Sequence, residues 1–142
     1  MALPAKFTLE IVTPDRALVH EEVDEVVVPG SEGDFGILAG HTPLLAMLKV
    51  GELWYRQGQE KHYLAIAFGF AEVLPDRVTI LAQIAERAKD IDTDRAERAK
   101  QRAEEHLARS TAHGDMDFEL ARVALMKSLI RLQVASRART RA

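Results

Sequence analysis

After residue 85 this 142-residue chain contains no proline and a single glycine, Gly114, whereas all five prolines and the other seven glycines lie before that point. Proline removes a backbone donor and glycine adds backbone entropy, so the division separates a segment broken repeatedly by turns from one free to run as long helix. The second segment is dominated by alanine, arginine and glutamate, which is helix composition. No Gly/Ser linker lies between the two, so the boundary is expected near residue 86, giving domains 1–86 and 87–142.

Within the first segment apolar residues recur with a period near two. Phe7, Leu9 and Ile11 alternate with Thr8, Glu10 and Val12; Val26–Val28 form a β-branched run ahead of Pro29-Gly30; Val78, Ile80 and Ala82 alternate with Thr79 and Leu81. Such alternation turns one face of a strand toward a core. Thr13-Pro14-Asp15, Gly30–Asp34, Gln57-Gly58-Gln59 and Pro75-Asp76 supply turns between the runs. Short strands at this spacing predict an antiparallel sandwich or barrel. One stretch, GDFGILAGHTPLL at residues 33–45, reads as a glycine-rich loop in which Gly33, Gly36 and Gly40 permit tight backbone conformations and Asp34 and His41 are presented together at one end of the sandwich.

In the second segment Asp90, Asp92 and Asp94 bring negative charge to a helix start, and Asp92 or Thr93 is the expected cap. His113-Gly114-Asp115 interrupts the pattern before Asp115 or Asp117 opens a second helix, so a helical hairpin is expected. The first helix offers a narrow stripe, Ala96, Ala99, Ala103 and Leu107. At roughly 0.8 kcal/mol per buried carbon, against ordering costs of about 1–2 kcal/mol per residue, its tertiary grip is expected to be marginal. The second helix carries two stripes: Phe118, Ala121, Leu125, Ser128, Leu132 and Ala135 on one, Met116, Leu120, Val123, Ile130 and Val134 on the other. One thin helix cannot cover both, so the second stripe packs either on the β-domain or on an alternative partner.

Composition excludes several classes. An apolar share of 47% and a charged share of 29% are globular values. The absence of cysteine removes disulfides, thiolate metal sites and cysteine nucleophiles. The longest apolar run, Tyr63–Ala71, is far short of the roughly 20 residues of a bilayer-spanning helix, and the N-terminus has no signal-peptide pattern, so neither a signal peptide nor direct bilayer insertion is expected. Ser31, Ser110, Ser128 and Ser136 lie outside any Gly-x-Ser-x-Gly setting, no Walker lysine follows the glycines, and histidines 20, 41, 62, 106 and 113 lack metal-ligand spacing. Neither catalysis nor a metal site is expected.

The net charge of −3 hides an asymmetry: residues 120–142 hold Arg122, Lys127, Arg131, Arg137, Arg139 and Arg141 without an acid, leaving −9 on residues 1–119. A basic helix end seeks an acidic partner or complements its own dipole. No aromatic residue follows Phe118, so a stacking platform for nucleic acid is absent and none is expected to bind. With the hairpin turn centred near residue 113, Arg131 falls level with Arg95 and Lys127 with Ala99, so Asp92 and Arg95 face Lys127 and Arg131. Such a set suits either a polyphosphate or plain surface ion pairs.

The order GSEGDFGILAGHTPLL, LPDRVTILA, IDTDRAERAKQRAEEHL, HGD and MDFELARVALMKSLIRLQV resembles the epsilon subunits of F-type ATP synthases along nearly the whole chain. The resemblance implies an all-β N-terminal sandwich of about ten strands, then an α-helical hairpin. It implies a non-catalytic central-stalk subunit that binds gamma and rests on the c-subunit ring, with Asp34 facing the c ring and His41 at the gamma contact. It further implies a mobile hairpin that inhibits ATP hydrolysis by engaging the alpha and beta subunits through a basic helix, here Arg122, Lys127, Arg131, Arg137 and Arg139. Peripheral attachment at the cytoplasmic face of a bacterial plasma membrane follows from the same resemblance.

Ile91-Asp92-Thr93-Asp94-Arg95-Ala96 is similar to the Ile/Leu-Asp-x-x-Arg-Ala motif of members that take ATP as a regulatory ligand, with no cofactor required. Glu86, Arg131 and Lys127 fall at matching positions, the lysine standing where strong binders have arginine; Leu120 and Arg122 also depart from the second-helix pattern. The alternative from another class is a stand-alone β-sandwich nucleotide-sensing or ligand-binding module with a helical protein-interaction tail.

Overall fold

A computed structural model of the chain describes residues 5–109 and 116–139. The chain divides after Arg87 into two compact units. The first contains eight strands: β1 (Phe7–Val12), β2 (Ala17–Val23), β3 (Glu25–Gly30), β4 (Gly33–Leu38), β5 (Leu44–Leu48), β6 (Gly51–Gln57), β7 (Glu60–Val73) and β8 (Arg77–Arg87). The period-two residues behave as their alternation requires: Phe7, Leu9, Ile11, Val26, Val28, Val78 and Ile80 are all buried in one core, joined by Leu53, Tyr55, Leu64 and Ile66.

The strands follow the order β2-β1-β8-β7-β5-β3-β4, with β6 pairing to both β3 and β7. The 14-residue β7 serves both layers: Glu60–Ile66 pairs with β6 and Gly69–Val73 with β5. The changeover falls at Phe68 (φ 62°) and Gly69 (φ 127°). A Cβ at Gly69 would lie 2.0 Å from the carbonyl oxygen of Leu81, so the strands approach there as only glycine allows. The corner is made inside a strand and not by a turn, and the described strands therefore number eight where about ten are expected.

The acidic run around residues 20–25 is spent on tying strands together. Glu22 accepts from Thr8 (2.6 Å), Asp24 from the amide of Gly58 (2.7 Å), and Glu25 from Arg56 (3.1 Å). Arg56 also donates to the Gly58 carbonyl at 2.9 Å, fixing the β6–β7 turn.

The second unit begins with a 3-10 turn, Ala88–Asp90, followed by α1 (Thr93–Arg109) and α2 (Met116–Arg139). Asp92 is the cap of α1, its carboxylate accepting from the amide of Arg95 at 3.0 Å. The expected His113-Gly114-Asp115 turn lies outside the described residues. On α1 the buried residues are Ala96 and Ala103, with Ala99 and Leu107 half-buried beside them. On α2 Ala121, Ser128, Val134 and Ala135 are buried. Ser128 satisfies its hydroxyl on the Ala124 carbonyl (2.9 Å), so it brings no unpaired donor into the interior.

Candidate functional site

The stretch GDFGILAGHTPLL is not a loop. It forms β4 and the start of β5, joined by residues 39–43. Gly33 (φ 129°) and Gly40 (φ 83°) are the two glycines that use left-handed freedom, each at a strand end. Gly36 sits inside β4 opposite Val27, with ordinary room for a side chain.

The consequence corrects the expected presentation of Asp34 and His41 together. Asp34 opens β4 and pairs in register with Pro29, whereas His41 follows the far end of the same strand. The two therefore lie at opposite ends of β4. Asp34 is exposed, with the Lys49 ammonium 3.6 Å away. His41 has Nδ1 2.7 Å from the Thr42 carbonyl, and the neighbouring Gly40 amide donates to Pro75 in the β7–β8 turn at 2.7 Å.

Between these ends the outer face of one layer carries a feature that sequence reasoning missed. Met47 pairs with Phe70, Phe70 with Leu81, and Leu81 with Val12, so one row crosses four strands. Met47, Phe70 and Leu81 are 60%, 46% and 52% exposed, and Leu45 extends the face at 69%. Strand alternation would ordinarily make such positions polar. The signal was present as an apolar residue on the polar phase of three separate strands, but only the register brings them into one row.

On the helical unit, Ala99–His106 of α1 and Asp117–Ala124 of α2 line one open groove. The C-terminal part of α2 also packs on the Ala88–Asp90 turn. Asp92 and Arg95 are exposed, Lys127 and Arg131 half-buried, Ile91 and Ala96 buried, and Glu86 lies half-buried on β8 of the other unit.

Of the basic residues, Arg122 is exposed and bound to Glu119 at 2.9 Å, and Arg137 is exposed. Arg139 ends α2, its side chain outside the described residues, as is all of Arg141. The second apolar stripe of α2 is divided: Met116 and Leu120 are strongly exposed, whereas Val134 is fully buried.

The titration of Tyr55 is displaced. Burial raises its pKa above 10.0; the adjacent Arg87 opposes that shift, and Glu21 adds to it. Among the described residues no cluster of histidine, aspartate and glutamate is arranged to hold a metal. No described helix is long and apolar enough to cross a membrane.

Two family descriptions match in succession: ATP synthase, delta/epsilon chain, β-sandwich domain over residues 6–88, and ATP synthase, delta/epsilon chain, long α-helix domain over residues 89–136. A sandwich followed by such helices defines the class, and the chain belongs to the ATP synthase delta/epsilon family. Within it the resemblance is to epsilon chains. That of Syntrophobacter fumaroxidans is 51% identical over 93% of this chain and 97% of its own, and that of Nitratidesulfovibrio vulgaris 46% identical over 92% and 96%. Among solved structures, a chain of the Euglena gracilis mitochondrial ATP synthase (OSCP/F1/c-ring) aligns with a TM-score of 0.80 at 26% identity, covering 96% of this chain and 84% of that one. A chain of the Tetrahymena thermophila mitochondrial enzyme (central stalk/c-ring) shares the fold at a TM-score of 0.55 and 13% identity, covering 96% of this chain and 98% of that one.

Proposed function

We propose that this epsilon subunit is a non-catalytic part of the central stalk, carrying rotation between a c ring and the catalytic head through contacts with the gamma subunit. The observation that carries this reading is the exposed row Met47–Phe70–Leu81. Large apolar side chains aligned across neighbouring strands form a patch of the kind used to bind another protein. A partner that buries the row against gamma accounts for it. Asp34, exposed at the other end of β4 from His41, suits the polar loops of the c ring, and His41 a gamma contact. A similar solved chain comes from an F1/c-ring assembly, which supports the same reading.

The helical unit acts as the regulator. Exposed Met116 and Leu120, with the cations Arg122, Lys127, Arg131, Arg137 and Arg139, suit a second position against the alpha and beta subunits, where α2 restrains ATP hydrolysis. ATP is its regulatory ligand, with Ile91, Asp92, Arg95, Ala96, Lys127 and Arg131 of the helical unit as its contacts. The subunit works at the cytoplasmic face of a bacterial plasma membrane, attached through the assembly.

The test is copurification of gamma with the whole chain carrying Phe70→Glu. An exposed outer-face position tolerates the carboxylate in the free subunit, so the variant folds, and recovery of gamma falls about tenfold or more, as expected for loss of a central contact. Undiminished recovery of gamma would overturn the docking assignment.

A further inference from the structure

β1 pairs with β8 only over Arg77–Leu81, so from Ile84 to Arg87 the described backbone pairing of β8 is with β7 alone, and Gln83 falls at the break in register beside the corner. This final segment lies just past the Phe68–Gly69 corner, and Arg87 is the last residue of the sandwich unit. A strand end bonded along one flank frays readily. Here the Arg87 side chain reaches from that end to two other strands. Arg87 donates through Nη2 to the carbonyl of Leu18 on β2 at 2.8 Å and through Nη1 to the hydroxyl of Tyr55 on β6 at 3.4 Å. Its own backbone position pairs with Leu64 of β7.

The acceptors are themselves held. Tyr55 is fully buried, its ring stacked on His62 with centroids 4.8 Å apart, and its hydroxyl donates to the Glu21 carboxylate at 3.2 Å. Glu21 also sets a negative charge near the guanidinium. The planar fork of arginine spans two acceptors on two strands, a geometry that the single ammonium of lysine does not reproduce.

We propose that Arg87 is a latch that sets the length of the tether between the two units. Closed, it keeps Gln83–Arg87 in the sheet, and the first turn of the helical unit, Ala88–Asp90, follows directly. Open, that segment peels from β7 and itself becomes a tether with roughly 16–18 Å of extended reach. The role rests on the reading that the helical unit changes position, because a fixed unit needs no adjustable tether. The latch itself is read in the isolated chain, without the rest of the synthase.

Amide hydrogen exchange of the full chain tests it, comparing the native sequence with Arg87→Ala, Arg87→Lys and Tyr55→Phe. Arg87→Ala is expected to speed exchange across residues 83–87 about tenfold or more while β1 and β6 stay within about twofold. Arg87→Lys approaches the alanine variant despite keeping its charge, and Tyr55→Phe, which leaves the Leu18 acceptor, falls between native and alanine. Unchanged exchange over residues 83–87 in Arg87→Ala overturns the latch, as does an equal rise in β1, β6 and β8.

A second readout bears on the tether: spin labels at exposed Gln59 and Glu105 give a broader distance distribution in Arg87→Ala than in the native chain. Identical distributions alongside faster exchange overturn the tether role. Failure of hydrolysis inhibition in the assembled enzyme, by contrast, bears on the relocation reading and leaves the exchange result standing.

Discussion

The sandwich and the hairpin are stabilised by side chains of very different size. In the sandwich the fully buried side chains include Tyr55, Phe7, Leu9, Ile11, Leu53 and Ile80, each worth about 1.5–3 kcal/mol of burial. On α1 the buried residues are Ala96 and Ala103, each contributing a methyl group, whereas α2 buries Val134 beside Ala121 and Ala135. A sheet unit built on large interlocking residues, with pairings between residues far apart in sequence, holds one arrangement. Each helix closes its backbone hydrogen bonds locally, but most helical stability comes from packing an apolar face, and the buried residues of α1 offer that packing only alanine methyls. The two units thus differ in the size of the side chains that pack them.

Changes in the two units should therefore differ in size and in kind. Ile80→Ala removes a fully buried side chain from the sandwich core and is expected to cost about 2–5 kcal/mol in a denaturant titration followed by Trp54 fluorescence, leaving the helical circular dichroism largely in place at denaturant concentrations just past the transition. A single transition shared by both signals would break the comparison. Asp92→Ala removes the cap of α1 and is expected to cost about 1 kcal/mol, read as lower helicity or earlier thermal melting of the helical signal with the fluorescence transition unmoved.

Phe68→Gly sharpens the picture of the corner. Phe68 holds φ 62°, a conformation that costs a side-chain-bearing residue roughly 1–2 kcal/mol; glycine relieves that cost but gives up a half-buried ring and adds unfolded-state entropy, so the net change is expected to stay within about 1 kcal/mol of zero. A loss above that size would mean that Phe68 packing outweighs the strain. The smallest effect is alkaline. Because the folded pKa of Tyr55 is raised, the folded state holds its proton more tightly than the unfolded chain, and stability present below pH 10.0 falls as pH rises above it. Tyr55→Phe is expected to flatten that limb, measured by urea midpoints on either side of pH 10; an unchanged slope would remove Tyr55 as its source.

Much of the sandwich was legible. Phe7, Leu9, Ile11, Val78 and Ile80 alternate because a half-buried strand has no other way to keep one face dry, and all are buried. The helical stripe Ala96–Ala103 followed for the same reason at a different period. The glycine-rich stretch misled, since Gly36 occupies an ordinary strand position and only Gly33 and Gly40 turn the chain. Reading it as a loop put Asp34 and His41 together, when the intervening strand β4 separates them.

Local chemistry was enough for the partition itself: where strands stop and helices begin follows from breakers, period and caps, all of which act within a few residues. Three features needed the folded chain. The row Met47–Phe70–Leu81, the close approach of Gly69 to Leu81 at the corner and the Arg87 clasp on Leu18 and Tyr55 each join residues remote in sequence. Which strand lies beside which is set by the packing of a shared core and by long-range pairing, and neither quantity is defined until the sheet has closed.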